Sequence, residues 1–252
     1  MTQVIGMIAL KGGVGKTTCT ASIGSALAYT FNQNVLLIDA NFSAPSLGFY
    51  FDIINPQKTI HDVLHKKISV EKAIHQYDKR IHIIPAALMC ENIKNVNVLK
   101  EQIDKIKDQY DIVIIDSSPH LGNEIFSTIN AVDAVYTITT PDLPSLSTTL
   151  RLLQILKGKK TFTSGIVINK VKNQKYELQK NEIEQTSDAG ISAVIPYDKM
   201  VEMAMQIPKP IHCIYPKSNA AIAFNSLAAE IIDEDYNDPR FLSKLKKFFG
   251  IL

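Results

Sequence analysis

Short apolar runs alternate with longer amphipathic stretches along most of the chain. Near-continuous Val/Ile/Leu segments fall at 4–10, 34–39, 81–84, 112–116, 134–139, 165–169 and 191–195. Many are apolar at almost every position rather than at every second one. That pattern predicts strands covered on both faces, as in a parallel sheet. Between them, helical stretches are predicted over 18–29, 96–109, 145–156, 182–187 and 220–233. Such alternation predicts an α/β fold, a doubly wound and mostly parallel sheet with crossover helices on both faces. No internal repeat or linker divides the chain. The one shift in composition is the acidic, Asn- and Pro-containing stretch 233–239, so one domain is expected over 1–236 and a separate tail over 237–252.

At 252 residues the chain is long enough to bury a sizeable core. No apolar segment approaches the ~18 residues that a spanning helix needs. The N-terminus lacks a basic stretch and Lys11 interrupts its apolar run, so no secretory signal is read there. Cys19, Cys90 and Cys213 are far apart and form no Cys-x-x-Cys pair, which fits reduced thiols and argues against a zinc or iron–sulfur site. Cys19 reads as a small packing residue. The net charge of +2 is uneven: 237–252 carries +3 and the rest −1. A near-neutral body argues against a broad nucleic-acid surface and places the basicity in the tail.

The first apolar run leads straight into Lys-Gly-Gly-Val-Gly-Lys-Thr-Thr, residues 11–18. A strand, a glycine-rich turn and a helix start present backbone N–H groups to an anion. Gly12, Gly13, Val14, Gly15, Lys16, Thr17 and Thr18 are the candidate phosphate cradle. Within it Lys16 would reach the β- and γ-phosphates and the Thr17 hydroxyl would hold Mg²⁺. The pattern G-x-x-x-x-G-K-[ST] fails at its first position, Leu10, and carries a second lysine, Lys11, inside the loop. Two further apolar runs end in acid: 34–39 in Asp39 and 112–116 in Asp116. A carboxylate at a buried strand end beside such a loop can hold Mg²⁺, usually through water.

With these residues in view, the chain resembles the MinD/ParA family of deviant P-loop ATPases, closest to its MinD branch, over nearly its whole length. The matching segments are 11–18, 36–51 (the first switch), 110–122 (the Walker B strand and second switch), 165–170, 195–204 and 220–232. The resemblance implies ATP and Mg²⁺ as cofactors, ATP hydrolysis and a homodimer formed on ATP, with Lys11 reaching the partner's phosphates. It also implies that Asn169 contacts adenine. One departure stands out. The first switch of the family reads Asp-x-Asp, and its second Asp positions the attacking water; here that position is Asn41. A carboxamide can orient water but cannot accept a proton as a carboxylate does. Because positioning dominates phosphoryl transfer, Asn41 predicts slowed hydrolysis, with complete inactivity as the limit. Lys11, Lys16 and Asn41 are therefore the candidate catalytic residues.

The tail carries a second signal. At ~100° per residue, Phe241, Leu242, Leu245, Phe248, Phe249 and Leu252 share an arc of ~120°, with Lys244, Lys246 and Lys247 outside it. Aromatic anchors opposite lysines suit an interfacial helix on an anionic membrane. Position and pattern resemble the membrane-targeting helix of the MinD branch, which implies a cytoplasmic protein held peripherally on the inner face of the cell membrane. An activator or cargo protein, unidentified, would be the further partner. A helix packed on the domain or on another protein is the alternative use of the same face.

Rival functions are a ParA-like partitioning ATPase that binds DNA nonspecifically and a non-hydrolysing ATP-binding scaffold. For DNA the candidate surface is Lys157, Lys159, Lys160, Lys170, Lys172, Lys175 and Lys180, although Glu177, Glu182 and Glu184 among them suit a solvated face better. His61 and His65 are four apart, yet the stretch between them lacks the Glu of a His-Glu-x-x-His metal motif, so both are expected as partly exposed helix residues. His120, in the second switch, is expected to pack within its loop.

Overall fold

The computed structural model describes residues 2–88 and 98–238. Its strands are β1 (Gln3–Ile8), β2 (Val35–Ala40), β3 (His75–Gln76), β4 (Ile81–Ile84), β5 (Ile112–Ser117), β6 (Ala134–Thr139), β7 (Phe162–Val171) and β8 (Ile191–Pro196). They form one sheet in the order β3-β4-β2-β5-β1-β6-β7-β8. Every pair is parallel except β3 with β4. The chain fills the β5-β2-β4-β3 side of β1 first and then crosses to β6, β7 and β8 on the other, which makes the C-terminal end of β1 the switch point where ligands of open α/β sheets bind.

Alternation along the buried strands feeds two cores. Ile5, Met7, Leu37, Ile112 and Ile114 face one side, where they meet α1 (Lys16–Thr30) and α9 (Asn219–Ile231). Val4, Ile8, Leu36, Ile38, Val113 and Ile115 face the other, under α2 (Ile60–Leu64), α3 (Val98–Asp104), α4 (Asn123–Ala131) and the far end of α5 (Leu143–Lys159). A smaller cluster joins β7 to α5 and α6 (Lys180–Ser187). Two short helices, α7 (Lys199–Gln206) and α8 (Ile211–Ile214), lead into α9.

Helix α1 lies between the sheet and α9, and small residues let it approach closely. Gly24 is one of them: a Cβ there would sit 2.7 Å from Leu37 Cδ2. Cys19 is fully buried in the same helix and burial holds its thiol protonated, with a pKa pushed up to about 12, as expected of a packing residue.

Several boundaries differ from expectation. The first strand ends at Ile8 rather than residue 10, because the chain turns into the loop before Lys11. The helix expected over 96–109 is Val98–Asp104, followed by a separate 3-10 turn, Lys107–Gln109; residues 96 and 97 lie outside the described set. Strand β7 begins at Phe162, three residues early, across a register shift opposite Val135 and Tyr136. Helix α4 was not predicted. Its Ile, Thr and Asn residues have poor helix propensity, and burial of Ile125 and Ile129 on the sheet holds it. The tail, including Phe241, Leu242, Leu245, Phe248, Phe249 and Leu252, lies outside the described residues. Among those described, no helix is long and apolar enough to cross a membrane.

His212 ties α8 to both neighbouring helices. Its Nδ1 lies 2.8 Å from Ser25 Oγ and its Nε2 3.1 Å from the Ala221 carbonyl. Only Nε2 can donate to that carbonyl, so Nδ1 accepts from Ser25. Burial pushes the His212 pKa down to about 4. The unfolded chain therefore binds the proton first as pH falls. The contribution of His212 to stability should be full above the unfolded value near 6.5 and decline by ~3 kcal/mol by pH 4. It is read as a difference: chemical denaturation across that range should show the parent losing about this much relative to His212→Gln.

Candidate functional site

The loop after β1 owes its shape to two glycines with positive φ, Gly13 (78°) and Gly15 (93°). Gly15 also needs its missing side chain for space, since a Cβ would lie 2.3 Å from Asn169 Nδ2. Strand β7 holds the loop from the side. Asn169 Nδ2 donates to the Val14 carbonyl at 2.8 Å and Lys170 Nζ to the Gly13 carbonyl at 2.8 Å. With those carbonyls drawn to β7 and open space above Gly12 and Gly13, an anion can approach the loop's N–H groups and the start of α1. Lys16, the first residue of α1, is only 7% exposed.

Beside the loop stand two carboxylates. The register pairs Asp39 with Asp116 on adjacent strands, and both are fully buried. Asp116 accepts from the Thr17 hydroxyl at 2.6 Å and from Thr20 at 3.4 Å. Asp39 is saturated differently: its oxygens accept the backbone N–H groups of Asn41, Ser46 and Leu47. It thus shapes the turn after β2 as well as facing the site. Burial, and then the charge of Asp116, push the Asp39 pKa up to about 7. Burial raises Asp116 too, against the opposing pull of Lys16 and Thr17. Hard oxygen ligands beside an anion cradle, with negative charge left uncompensated, are a donor set that suits Mg²⁺. Thr17, Asp39 and Asp116 are brought together as the sequence predicts.

Asn41 is 7% exposed. Its Nδ2 donates to the Ala44 carbonyl at 2.5 Å, while its Oδ1 has no partner among the described residues. The amide is therefore oriented by its N–H side, and one buried acceptor is left for a small donor such as water.

Lys11 turns away from its own loop. Its ammonium meets Asp142 Oδ1 at 2.9 Å and Ser145 Oγ at 2.8 Å, at the start of α5. Burial favours the protonated Asp142, but hydrogen bonds from Thr140, Lys11 and Ser145 outweigh it and bring its pKa down to about 2. Asp142 also caps the helix through Ser145 N–H. An Asp cap followed by proline near the first turn is a readable helix start, yet sequence reasoning did not attach it to Lys11. Tyr50 was also missed. Its hydroxyl lies 2.7 Å from Thr18 Oγ1 and joins the 3-10 turn after β2 to α1.

A cleft of about 140 Å³ opens next to the loop, lined among others by Thr18, Asn169, Lys170, Pro196, Tyr197 and Met205. Asn169 is 4% exposed, with Oδ1 accepting the Lys170 N–H and Nδ2 engaged by Val14. One N–H and one lone pair remain for a base edge.

Two histidines depart from expectation. His61 is buried rather than partly exposed. Its Nδ1 accepts the Ala87 N–H and its ring packs edge-on to Phe42, behind the turn that carries Asn41. His120 is exposed instead of packed within its loop. Of the expected lysine surface, Lys170 is drawn to the phosphate loop and Lys172 stacks over Tyr197 at 4.7 Å.

Fold and loop together place the molecule among the P-loop nucleotide-binding proteins of the doubly wound α/β class. Residues 2–168 match a family model described as an AAA domain. An uncharacterised ATP-binding protein of Methanocaldococcus jannaschii is 30% identical, over 99% of this chain and 98% of its own length. The septum site-determining protein MinD of Thermotoga maritima is 29% identical, over 100% and 99%. Among solved structures, the cell division ATPase MinD of Pyrococcus furiosus superposes with a TM-score of 0.87 at 28% identity, covering 92% of this chain and 99% of its own. The chain belongs to the MinD/ParA family of P-loop ATPases.

The paired carboxylates have a measurable cost. A folded-state pKa near 7 for Asp39, against 3.8 in the unfolded chain, means that stability falls as pH rises between the two. Asp116→Asn removes the facing charge. At pH 8 the nucleotide-free variant should be more stable than the parent by ~1–2 kcal/mol, read by urea denaturation. At pH 4 the gain should vanish.

Proposed function

We propose that this chain is an ATP-dependent switch of the MinD kind. It dimerises across its phosphate loops, docks reversibly on an anionic membrane through residues 241–252, positions a partner protein there and hydrolyses ATP slowly. Lys11 carries the reading. It is a loop lysine that takes no part in its own cradle, and its ion pair with Asp142 leaves the two side chains 36% and 42% exposed. A pair that exposed adds little stability, so little is lost when the ammonium moves to the phosphates of a second subunit.

In this scheme the backbone of residues 12–18 and Lys16 bind the phosphates. Thr17, with Asp116 and Asp39, would hold Mg²⁺, and bound Mg²⁺ would neutralise charge on the β- and γ-phosphates. The cleft beside Asn169 suits the adenine ring. Asn41 aligns water through its free Oδ1 but accepts no proton. A structure of MinD from Pyrococcus horikoshii, 27% identical with a TM-score of 0.86, is described as complexed with Mg-ADP, which supports this assignment.

The tail acts by avidity. Each lysine contributes ~1 kcal/mol near an anionic surface, and ordering a short helix offsets much of the apolar gain. One tail binds weakly, whereas two on an ATP-linked dimer gain ~10²-fold through effective concentration. Sedimentation with anionic liposomes should therefore give pelleting with ATP and little with ADP. Deleting 240–252 should abolish pelleting and leave ATP binding intact. Retained pelleting would refute the tail's role, and salt-sensitive, ATP-dependent DNA binding in its place would favour the ParA-like reading.

Asn41→Asp should raise the single-turnover hydrolysis rate by ~10-fold or more, measured as phosphate release. An unchanged rate would remove Asn41 from the water-positioning role, and no turnover in either protein would favour the scaffold reading.

A further inference from the structure

On the side of the sheet covered by α2 and α3, an open cleft of about 480 Å³ is lined by Lys66, Lys67, Lys72 and Lys105, with Ser69 and a single acid, Glu101. All four lysines are exposed. Lys66 has a left-handed backbone (φ 59°) just past the end of α2, and the Lys67 N–H closes back on the Asp62 carbonyl. That turn carries two lysines off the helix toward Lys72 and Lys105. Lys105 Nζ bonds the neutral Gln102 Oε1 at 3.0 Å and also feels the charge of the exposed Glu71 carboxylate. Among the described residues the ion pairs are Lys11–Asp142 and Lys107–Asp104, so no lysine of this cleft has one.

We propose that this cleft is a second anion site, separate from the phosphate loop, for a compact ligand bearing several phosphate groups. Four ammonium groups against the one carboxylate of Glu101 leave the lining with an excess of positive charge, and a cleft with such an excess concentrates the opposite ion. The ligand class rests on the charge: lysine binds phosphate as a point charge without a forked geometry, and several ammonium groups around one concavity match a ligand that carries several phosphates. The concave shape suits a small polyanion better than a duplex or a flat bilayer. The site also lies across the sheet from the face where the described chain ends, since Tyr236 packs on Phe31 at the end of α1. Its lysines lie just past α3 and in the segment after α2, none of them in the proposed membrane tail.

The test uses the full chain with its phosphate loop saturated by Mg·ADP, the saturation checked by ADP titration. Calorimetric titration with sodium tripolyphosphate should then reveal a salt-sensitive site. The triple variant Lys66→Gln, Lys67→Gln, Lys72→Gln should weaken it by ~10-fold or more with ADP affinity unchanged. The control triple Lys157→Gln, Lys159→Gln, Lys175→Gln should leave it intact. No heat from the ADP-saturated parent, or equal affinity in parent and cleft variant, would overturn the proposal. Phosphatidylcholine vesicles doped with phosphatidylinositol bisphosphate identify the source. Vesicle binding weakened in step with tripolyphosphate supports a lipid headgroup, and unchanged vesicle binding beside weakened tripolyphosphate supports a free polyphosphate. ADP affinity reports the phosphate loop alone, so a failure there is distinguishable from a failure here.

Discussion

Two carboxylates, Asp39 and Asp116, lie side by side at the buried ends of adjacent parallel strands, and much of the site is arranged around that unfavourable contact. Their repulsion and desolvation are offset by donors from several directions. Three backbone N–H groups turn toward Asp39, the hydroxyls of Thr17 and Thr20 toward Asp116, and the charge of Lys16 favours the ionised form of Asp116. The donors come from separate segments of the site. The turn after β2, the phosphate loop and the first turn of α1 are held in register by one patch of negative charge. A cation entering there would change the partners of all three segments at once.

The sheet explains why this pair can exist. Parallel strands with both faces covered place every C-terminal end on one edge, and the register sets Asp39 opposite Asp116 without further design. The two cores on either side are independent in composition, yet α1 is common to the site and to the larger core. Its close approach through Gly24 keeps the helix start rigid where Lys16 and Thr17 leave it.

Much of this was legible in the sequence, and for identifiable reasons. Continuous Val/Ile runs mark buried parallel strands; the loop was readable because its residues are contiguous, and the two acids because each closes an apolar strand run. What was hidden depends on tertiary partners. Helix α4 is formed by packing that local propensity disfavours. Asp142 lies 131 residues from Lys11, and only the placement of β6 and α5 beside β1 brings them together. His61 reads as an ordinary helix residue until Phe42 folds over it. Tyr50 has no motif, and its role is visible only once its hydroxyl meets Thr18. Likewise, Lys105 joins Lys66, Lys67 and Lys72 at the α2–α3 cleft only after folding.

The two hydrogen bonds from Asn169 and Lys170 to the loop carbonyls have a thermodynamic consequence. A free glycine-rich segment would sample many conformers, and binding would have to select one, with an entropy loss that grows with temperature. Here the cross-links from β7 make that selection part of folding. Nucleotide capture should then cost little in loop ordering, and its heat capacity should reflect desolvation of ligand and site rather than folding of the loop.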